Sequence, residues 1–302
     1  RGKRRQKGAI NFEGTEVKFI LDKNNTPIDV YTKESLPANH LIEEFMLLTN
    51  KTVAKHIGIT KKNTLPFVYR VHDSPDCDKI TSLANIIKKF GHSIDVKTPK
   101  TLSKSLNNLL KEVKGKSEQQ MIENLTIRSM AKAIYTTKNI GHYGLAFKYY
   151  SHFTSPIRRY PDLIIHRMID KYHDRKDSIN PTELERMCKH CSEMERVASQ
   201  AERDSIKYMQ IKFLQNKIGI IYEGVISGVT EWGFYVELIG NKCEGLVKAS
   251  SIKDDHFIYD EKKYALIGYR SKVSYQLGQK VKIKIQKADI ERKQMDFSLI
   301  TP

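Results

Sequence analysis

No apolar run in this 302-residue chain approaches the ~20 residues that a membrane-crossing helix needs. The opening residues, "RGKRRQKG", have no apolar segment behind them, so the pattern of a secretory leader is missing. Cysteine is scarce. There are four, and only Cys188 and Cys191 lie close together. That excludes a disulfide scaffold and predicts a reduced, cytoplasmic protein. No internal repeat is present, and no low-complexity tract beyond the first eight basic residues. Acidic residues are outnumbered, 35 Asp and Glu against 52 Lys and Arg, for a formal net charge of +17. A surplus of that size favours a polyanionic partner, either nucleic acid or an anionic membrane surface. The first residue is Arg rather than Met, and the chain is expected to be a fragment or a processed product.

The pair Cys188 and Cys191 brackets His190 in "CKHC". A lone C-x-x-C is half of a zinc site, but no second ligand pair lies nearby, so both are expected to be core cysteines.

Two alternating runs, "AINFEG" and "EVKFILDKNNTPIDVYTK", with Asn24 and Asn25 between strands, predict a β-hairpin at the edge of a larger sheet. "LPFVYRV", Leu65 to Val71, reads as a strand. Between them "ANHLIEEFMLLTNKTVAKHI" is a helix apolar enough to be buried on most sides. Its glutamates differ. Glu44 shares a face with His40, Lys51 and Lys55, a solvated charge face. Glu43 shares one with Asn39, Leu47 and Asn50. It is either a carboxylate in a cleft or a second exposed ion-pair partner.

Three helices are expected next. The first runs over about 79–90 before Gly91, with Asp78 as its cap, and the second over about 102–113 before Gly115. The third, "SEQQMIENLTIRSMAKAIY", opens with Ser117 and Gln120 in capping-box positions. A helix follows with Ile164, Ile165, Met168, Ile169 and Tyr172 on one face. A long last helix covers roughly 182–215. Its seam of Met187, Cys191, Met194, Ala198, Ala201 and Ser205 is small enough for another element to approach. From about Lys217 the chain changes to five short strands with glycine at the turns, the economy of a small closed barrel.

"YSHFTSPIRRYPDLIIHR" places Arg158 and Arg159 between two prolines at a helix mouth. Ser155 fits a cap with Pro156 in the first turn, and Pro161 can open or continue the helix. The helix N-terminus, two guanidiniums and the hydroxyls of Thr154 and Ser155 would make a phosphate cradle. Equally, the arginines are solvated or paired with Asp162.

The stretch "GHYGLAFKYYSHFTSPIRRYPDLIIHR" resembles the signature of the ribonuclease II/ribonuclease R family of processive 3′→5′ exoribonucleases, nearer ribonuclease R. "ANHLIEEFMLLTN", "IRSMAKAIY" and "AERDSIKYM" are similar to that family in the same order, and the final barrel resembles its S-one RNA-binding domain. The resemblance implies an α+β chain. Residues 1–216 would be the C-terminal part of the catalytic RNB domain, largely helical. Residues 217–302 would be a five-stranded OB-fold barrel. It implies hydrolysis of RNA to nucleoside 5′-monophosphates. Arg158 would hold the scissile phosphate, Glu43 would contact the 3′-terminal nucleotide and Glu202 would line the catalytic cavity. Tyr150, His152, Arg159, His166 and Arg167 belong to the motif as RNA-channel or supporting residues.

In that family aspartates bind the Mg²⁺ that activates water. Those aspartates are expected upstream of these residues, leaving the chain inactive alone. Asp73, Asp76 and Asp78 read as a Ser-Pro turn and a helix cap, and Asp254 and Asp255 as a loop, so no metal ligand is assigned here. In the barrel the family pattern turns Trp232 and Tyr235 outward beside Lys248. Lys280, Lys282 and Lys284 alternate on one strand and share a face, either a phosphate track or a solvated stripe. The expected partners are single-stranded RNA 3′ ends and structured RNA with 3′ overhangs, met by a monomer with no membrane. The rival reading is a non-catalytic single-stranded RNA-binding adapter.

Overall fold

The computed structural model describes all residues except 11–15, 61–64, 117, 174–178, 253–254, 261–263 and 301–302. Its first elements are a short basic helix, α1 (Gly2–Gln6), and a hairpin, β1 (Glu16–Leu21) with β2 (Pro27–Lys33). Asn25 adopts a left-handed φ of 56° in the hairpin turn, and Asp22 accepts the Asn24 and Thr26 amides. The hairpin is a separate two-stranded sheet rather than the edge of a larger one. The run "AINFEG" falls mostly outside the described residues.

Helix α2 (Pro37–Thr60) leads to β3 (Tyr69–Val71), shorter than the expected strand. Then come α3 (Cys77–Lys88), α4 (Pro99–Glu112) and α5 (Gln119–Ser129). Asp76, not Asp78, caps α3, because its side chain accepts the Asp78 and Lys79 amides. Thr98 and Thr101 close a reciprocal capping box on α4, so the helix starts three residues before Leu102. Ser117 of the capping box expected on α5 lies outside the described residues. That helix stops at Ser129, and "AIYT" turns into β4 (Ile134–Thr136), which pairs antiparallel with β3. Helix α6 (Tyr160–His173) and the 35-residue α7 (Pro181–Gln215) complete this part.

Beyond α7, β5 (Ile221–Thr230), β6 (Gly233–Leu238), β7 (Glu244–Lys248), β11 (Lys280–Asp289) and β12 (Gln294–Leu299) close a barrel in the order β11-β12-β7-β6-β5. Three further strands, β8 (Phe257–Asp260), β9 (Ala265–Gly268) and β10 (Ser274–Gln276), form a separate antiparallel sheet inserted between β7 and β11. Gly233 opens β6 at φ 154°, and a Cβ there would lie 2.1 Å from the Val247 carbonyl oxygen. Only glycine lets the strands approach that closely.

Two cores hold the fold. One joins α3–α5, the hairpin, the last turns of α7 and the barrel interior, with Leu106, Ile122, Leu214, Phe234 and Ile283 fully buried. The other packs Phe67, Tyr135, Ile165, Leu184 and Cys188 between α2, β3, β4, α6 and α7. Cys188 and Cys191 therefore sit in a core. Burial pushes the Cys188 thiol up to about 12. No described helix is long and apolar enough to cross a membrane.

Candidate functional site

Ser155 to Arg158 form a tight turn in which the Ser155 carbonyl accepts the Arg158 and Arg159 amides at 3.3 and 3.0 Å. Helix α6 begins only at Tyr160, so Pro156 occupies this separate turn and Ser155 does not cap the helix. Asp162, in the first turn of α6, joins the two. Its carboxylate is fully buried, and Oδ1 accepts the Ser155 amide and Arg159 Nη2, each at 2.8 Å. An acid there also meets the positive end of the helix dipole. Asp162 Oδ2, Arg159 Nε and Thr154 Oγ1 are buried without a partner among the described residues.

The neighbouring arginines therefore diverge. Arg159 is turned inward and held by Asp162. Arg158 is exposed, with no ion pair or side-chain hydrogen bond among the described residues. Ile157 beside it is completely solvent-exposed. Arg167, a little further on, is exposed on α6.

Beneath the turn lies an internal scaffold. Asn50 of α2 is 3% exposed; its Nδ2 donates to the Tyr150 hydroxyl at 3.3 Å and its Oδ1 accepts the Phe153 amide at 2.9 Å. Tyr135 and His152 Nδ1 share a 2.8 Å hydrogen bond. His166 stacks on Phe153 at 4.0 Å, with Nε2 2.9 Å from the Phe153 carbonyl. Arg70 bridges to Glu195 of α7 at 2.5 and 3.0 Å and lies over the Tyr135 ring. Tyr150, 5% exposed, thus supports the turn from within, and His152 beside it is half-buried. Sequence reasoning missed Asn50, because a lone polar residue on an apolar helix carries no spacing signal.

Burial, reinforced by Arg159 and Arg70, pushes His152 down to about 2; burial, His72 and Arg70 push His142 down to about 3. Both rings stay neutral in the folded chain at any ordinary pH, while in the unfolded chain they protonate below about 6.5. Stability from these groups is complete above that pH and declines as pH falls below it, by up to about 1.4 kcal/mol per pH unit for each ring. Thermal melts are expected to show a lower Tm at pH 5 than at pH 7.5, and His152→Gln should narrow the difference. An unchanged gap would mean that His152 accepts a proton while folded.

Glu44 departs from the expected solvated face, while Glu43 takes the second of its two readings, the exposed ion-pair partner. Glu44 is the enclosed one: its carboxylate lies 2.6 Å from Arg4 of α1 with 28% of the side chain exposed, and that hydrogen bond holds it below the usual carboxylate range. It lines a 550 Å³ groove with Leu47, Lys51, Lys55 and Phe147. Glu43 is 48% exposed, 3.6 Å from Arg4 and 3.5 Å from His40. The reason is α1, a basic helix that packs on the side of α2 carrying Glu44 and that no periodicity announces in "GKRRQ".

Nor is α2 buried on most sides. Leu41, Ile42, Phe45 and Leu48 are 57–59% exposed, because this chain covers only the face carrying Leu47, Asn50, Ala54 and Ile57. The seam of α7 is likewise bare in its middle: Met194 and Val197 are exposed, as are Ala198, Ala201 and Glu202. No hydrogen bond or ion pair joins Arg158, Glu43 and Glu202 among the described residues; the three lie exposed on separate elements.

In the barrel, Trp232 sits in the turn between β5 and β6 and is 70% exposed, Tyr235 is 37% exposed, and Phe234 between them is fully buried. Lys248 pairs with Asp296 at 2.8 Å. Lys280, Lys282 and Lys284 face outward from β11 opposite Val225, Glu223 and Ile221. Tyr235 faces Gly228 on the same β5. From Gly228 to Ile221 is seven residues, about 23 Å along a strand, so the lysine row runs away from the aromatic pair. Lys282 also lies 4.0 Å from Glu223.

Among the described residues no three His, Cys, Asp or Glu side chains converge on one point. Asp76 caps a helix and Asp255 ties down a turn, so neither of these carboxylates is free to hold a Mg²⁺ ion.

Residues 1–175 match the RNB domain family and residues 215–300 the S1 RNA binding domain. The chain is 38% identical to ribonuclease R of Aquifex aeolicus over 303 residues, covering 99% of this chain and 42% of that protein. It is 34% identical to ribonuclease R of Escherichia coli, covering 99% and 38%. Apo Mycoplasma genitalium RNase R superposes with a TM-score of 0.90 at 27% identity, over 99% of this chain and 47% of that one. The fold is shared by yeast Ssd1, a pseudonuclease, at a TM-score of 0.63 and 24% identity, over 76% of this chain and 29% of that one. The chain spans about two fifths of the length of the curated relatives it matches. On both matches and on its fold, the chain belongs to the ribonuclease II/ribonuclease R family.

Proposed function

We propose that this chain supplies the phosphate-holding part and the RNA-binding barrel of a processive 3′→5′ exoribonuclease that releases nucleoside 5′-monophosphates. The observation that carries this is Arg158, an exposed guanidinium on a turn fixed from below by buried Asp162. A permanent charge without a partner among the described residues, on a turn held by a buried carboxylate, suits a phosphate whose charge grows during cleavage. Glu43 would orient the 3′-terminal nucleotide, and Glu202 would act on positioning or product release. Mg²⁺ would be held by carboxylates outside these 302 residues, on a segment that also covers the bare apolar faces of α2 and α7. Trp232 and Tyr235 would stack bases, Arg167 and the β11 lysines would follow phosphates, and Arg159 supports the turn. Single-stranded 3′ ends and structured RNA with 3′ overhangs are the substrates, met by a monomer in the cytoplasm.

The second reading, an RNA-binding adapter, draws on the absence of an acidic cluster among the described residues and on a fold also found in a pseudonuclease. Degradation of a 5′-labelled RNA with Mg²⁺ separates the two. Hydrolysis is expected from a form extended upstream and not from these 302 residues alone. RNA that is bound but left intact by both would make the chain an adapter.

A further inference from the structure

The inserted sheet β8–β10 carries an exposed aromatic that the functional reading above does not use. Tyr269 stands in the turn between β9 and β10 and is 64% exposed. The turn is rigid. The Tyr269 amide donates to the His256 carbonyl at 2.8 Å, and Gly268 and Val273 close the turn at 2.8 Å. The Asp255 carboxylate accepts the Arg270 and Ser271 amides and the Ser271 hydroxyl. Lys272 follows in a left-handed conformation, with Nζ 5.5 Å from the Tyr269 ring centroid. A shallow recess of 480 Å³ adjoins the ring, lined by Ile258, Tyr259, Asp260, Ile267, Tyr269 and Lys272.

A mobile side chain would lose much of its stacking energy as ordering entropy. A tyrosine on a tied-down backbone loses less. The ring offers a π-face, and Arg270 and Lys272 offer exposed cations. A flat ring flanked by cations fits a nucleobase with its phosphates better than it fits an apolar peptide.

The insert is also fixed to the barrel. Tyr275 of β10 packs on Phe234 at 5.2 Å and on Phe257 at 5.5 Å. The Ala249 amide donates to the Trp232 carbonyl at 2.8 Å, and Asp255, which holds the Tyr269 turn, lies only six residues further along the chain. Six residues span at most about 20 Å. One strand at the long end of the roughly 4–16 nucleotide footprint of such a barrel would therefore reach both aromatics.

We propose that Tyr269 is a second base-stacking platform, taking one nucleobase of a single-stranded RNA whose flanking phosphates meet Lys272 and Arg270. This rests on the RNA-binding reading of the barrel. The test is fluorescence anisotropy with two unstructured RNAs, of about 16 and about 4 nucleotides, the two ends of that footprint. Tyr269→Ala is expected to weaken binding of the longer RNA about tenfold, and Tyr269→Phe to change it less than about twofold, since stacking uses the ring and not the hydroxyl. Trp232→Ala should weaken both RNAs, while the short one should be insensitive to Tyr269→Ala.

If Tyr269→Ala binds the longer RNA like the unmodified chain while Trp232→Ala does not, the platform is overturned and the RNA reading stands. Equal weakening by Ala and Phe would also overturn it. If the unmodified chain binds neither RNA, the RNA reading itself falls, and the platform with it.

Discussion

Arg158→Ala is expected to slow RNA hydrolysis by about 10²–10³-fold, measured in an upstream-extended form that hydrolyses RNA. The loss should fall on kcat. The Arg158 side chain makes no hydrogen bond or ion pair among the described residues, so its removal leaves no buried partner behind, and Tm should not move. RNA affinity should change little, because one phosphate contact among many contributes little to binding. Arg158→Lys should recover only part of the rate, since a lysine keeps the charge but not the two-pronged geometry. Single-turnover assays on a 5′-labelled RNA give the rate, and anisotropy gives the affinity. A deficit smaller than about tenfold, or one confined to KM, would remove Arg158 from the chemistry.

Asp162→Ala should have the opposite signature, a large loss of stability. The carboxylate is fully buried, and it fastens the Ser155 amide and the Arg159 guanidinium, which is itself 20% exposed. Deleting one partner of such a pair leaves the other charge poorly solvated and costs about 3–5 kcal/mol. Urea unfolding should show this as a lower midpoint with an unchanged slope. Asp162→Asn, which keeps one acceptor oxygen for the Ser155 amide, should lose less. Arg159→Met removes the charge and keeps much of the packing, so it should be milder than Asp162→Ala. If Asp162→Ala and the unmodified chain melt alike, the carboxylate does not hold the turn.

The barrel was the most legible part of the molecule. Its strands alternate with a period of two, and Val281, Ile283 and Ile285 point inward while Lys280 and Lys282 point out. Even there the insert was missed, since "FIYD", "ALIG" and "SYQ" are too short to show a period. Motif residues were legible as a group, but their orientations were not. Arg158 and Arg159 are adjacent in a tight turn and point opposite ways, a fact fixed by Asp162 from the next element. Glu44 is enclosed where a solvated face was expected, because a helix wheel states which residues share a face and not what covers it. For the same reason the apolar stripe of Leu41, Phe45 and Leu48 looked like core and proved to be surface. Asp76 displaced Asp78 as a cap because the helix starts at Cys77, which puts Asp78 already inside its first turn.

Helix α7 bears on how the two halves can be exchanged or inherited. At 35 residues it is about 52 Å long. Leu184, Cys188 and Cys191 near its start belong to one core, and Ile211, Phe213 and Leu214 near its end belong to the other. Gln210 donates to the Lys242 carbonyl at 2.9 Å, and Asp204 pairs with Lys293 at 2.9 Å, so the last turns are fastened to the barrel. The two family matches leave residues 176–214 to neither domain. A graft that takes the barrel from residue 217 onward would strip three core side chains from its base. The barrel is portable only together with the final turns of this helix, and a recombination joint is best tolerated in the exposed middle of α7, where neither core is cut.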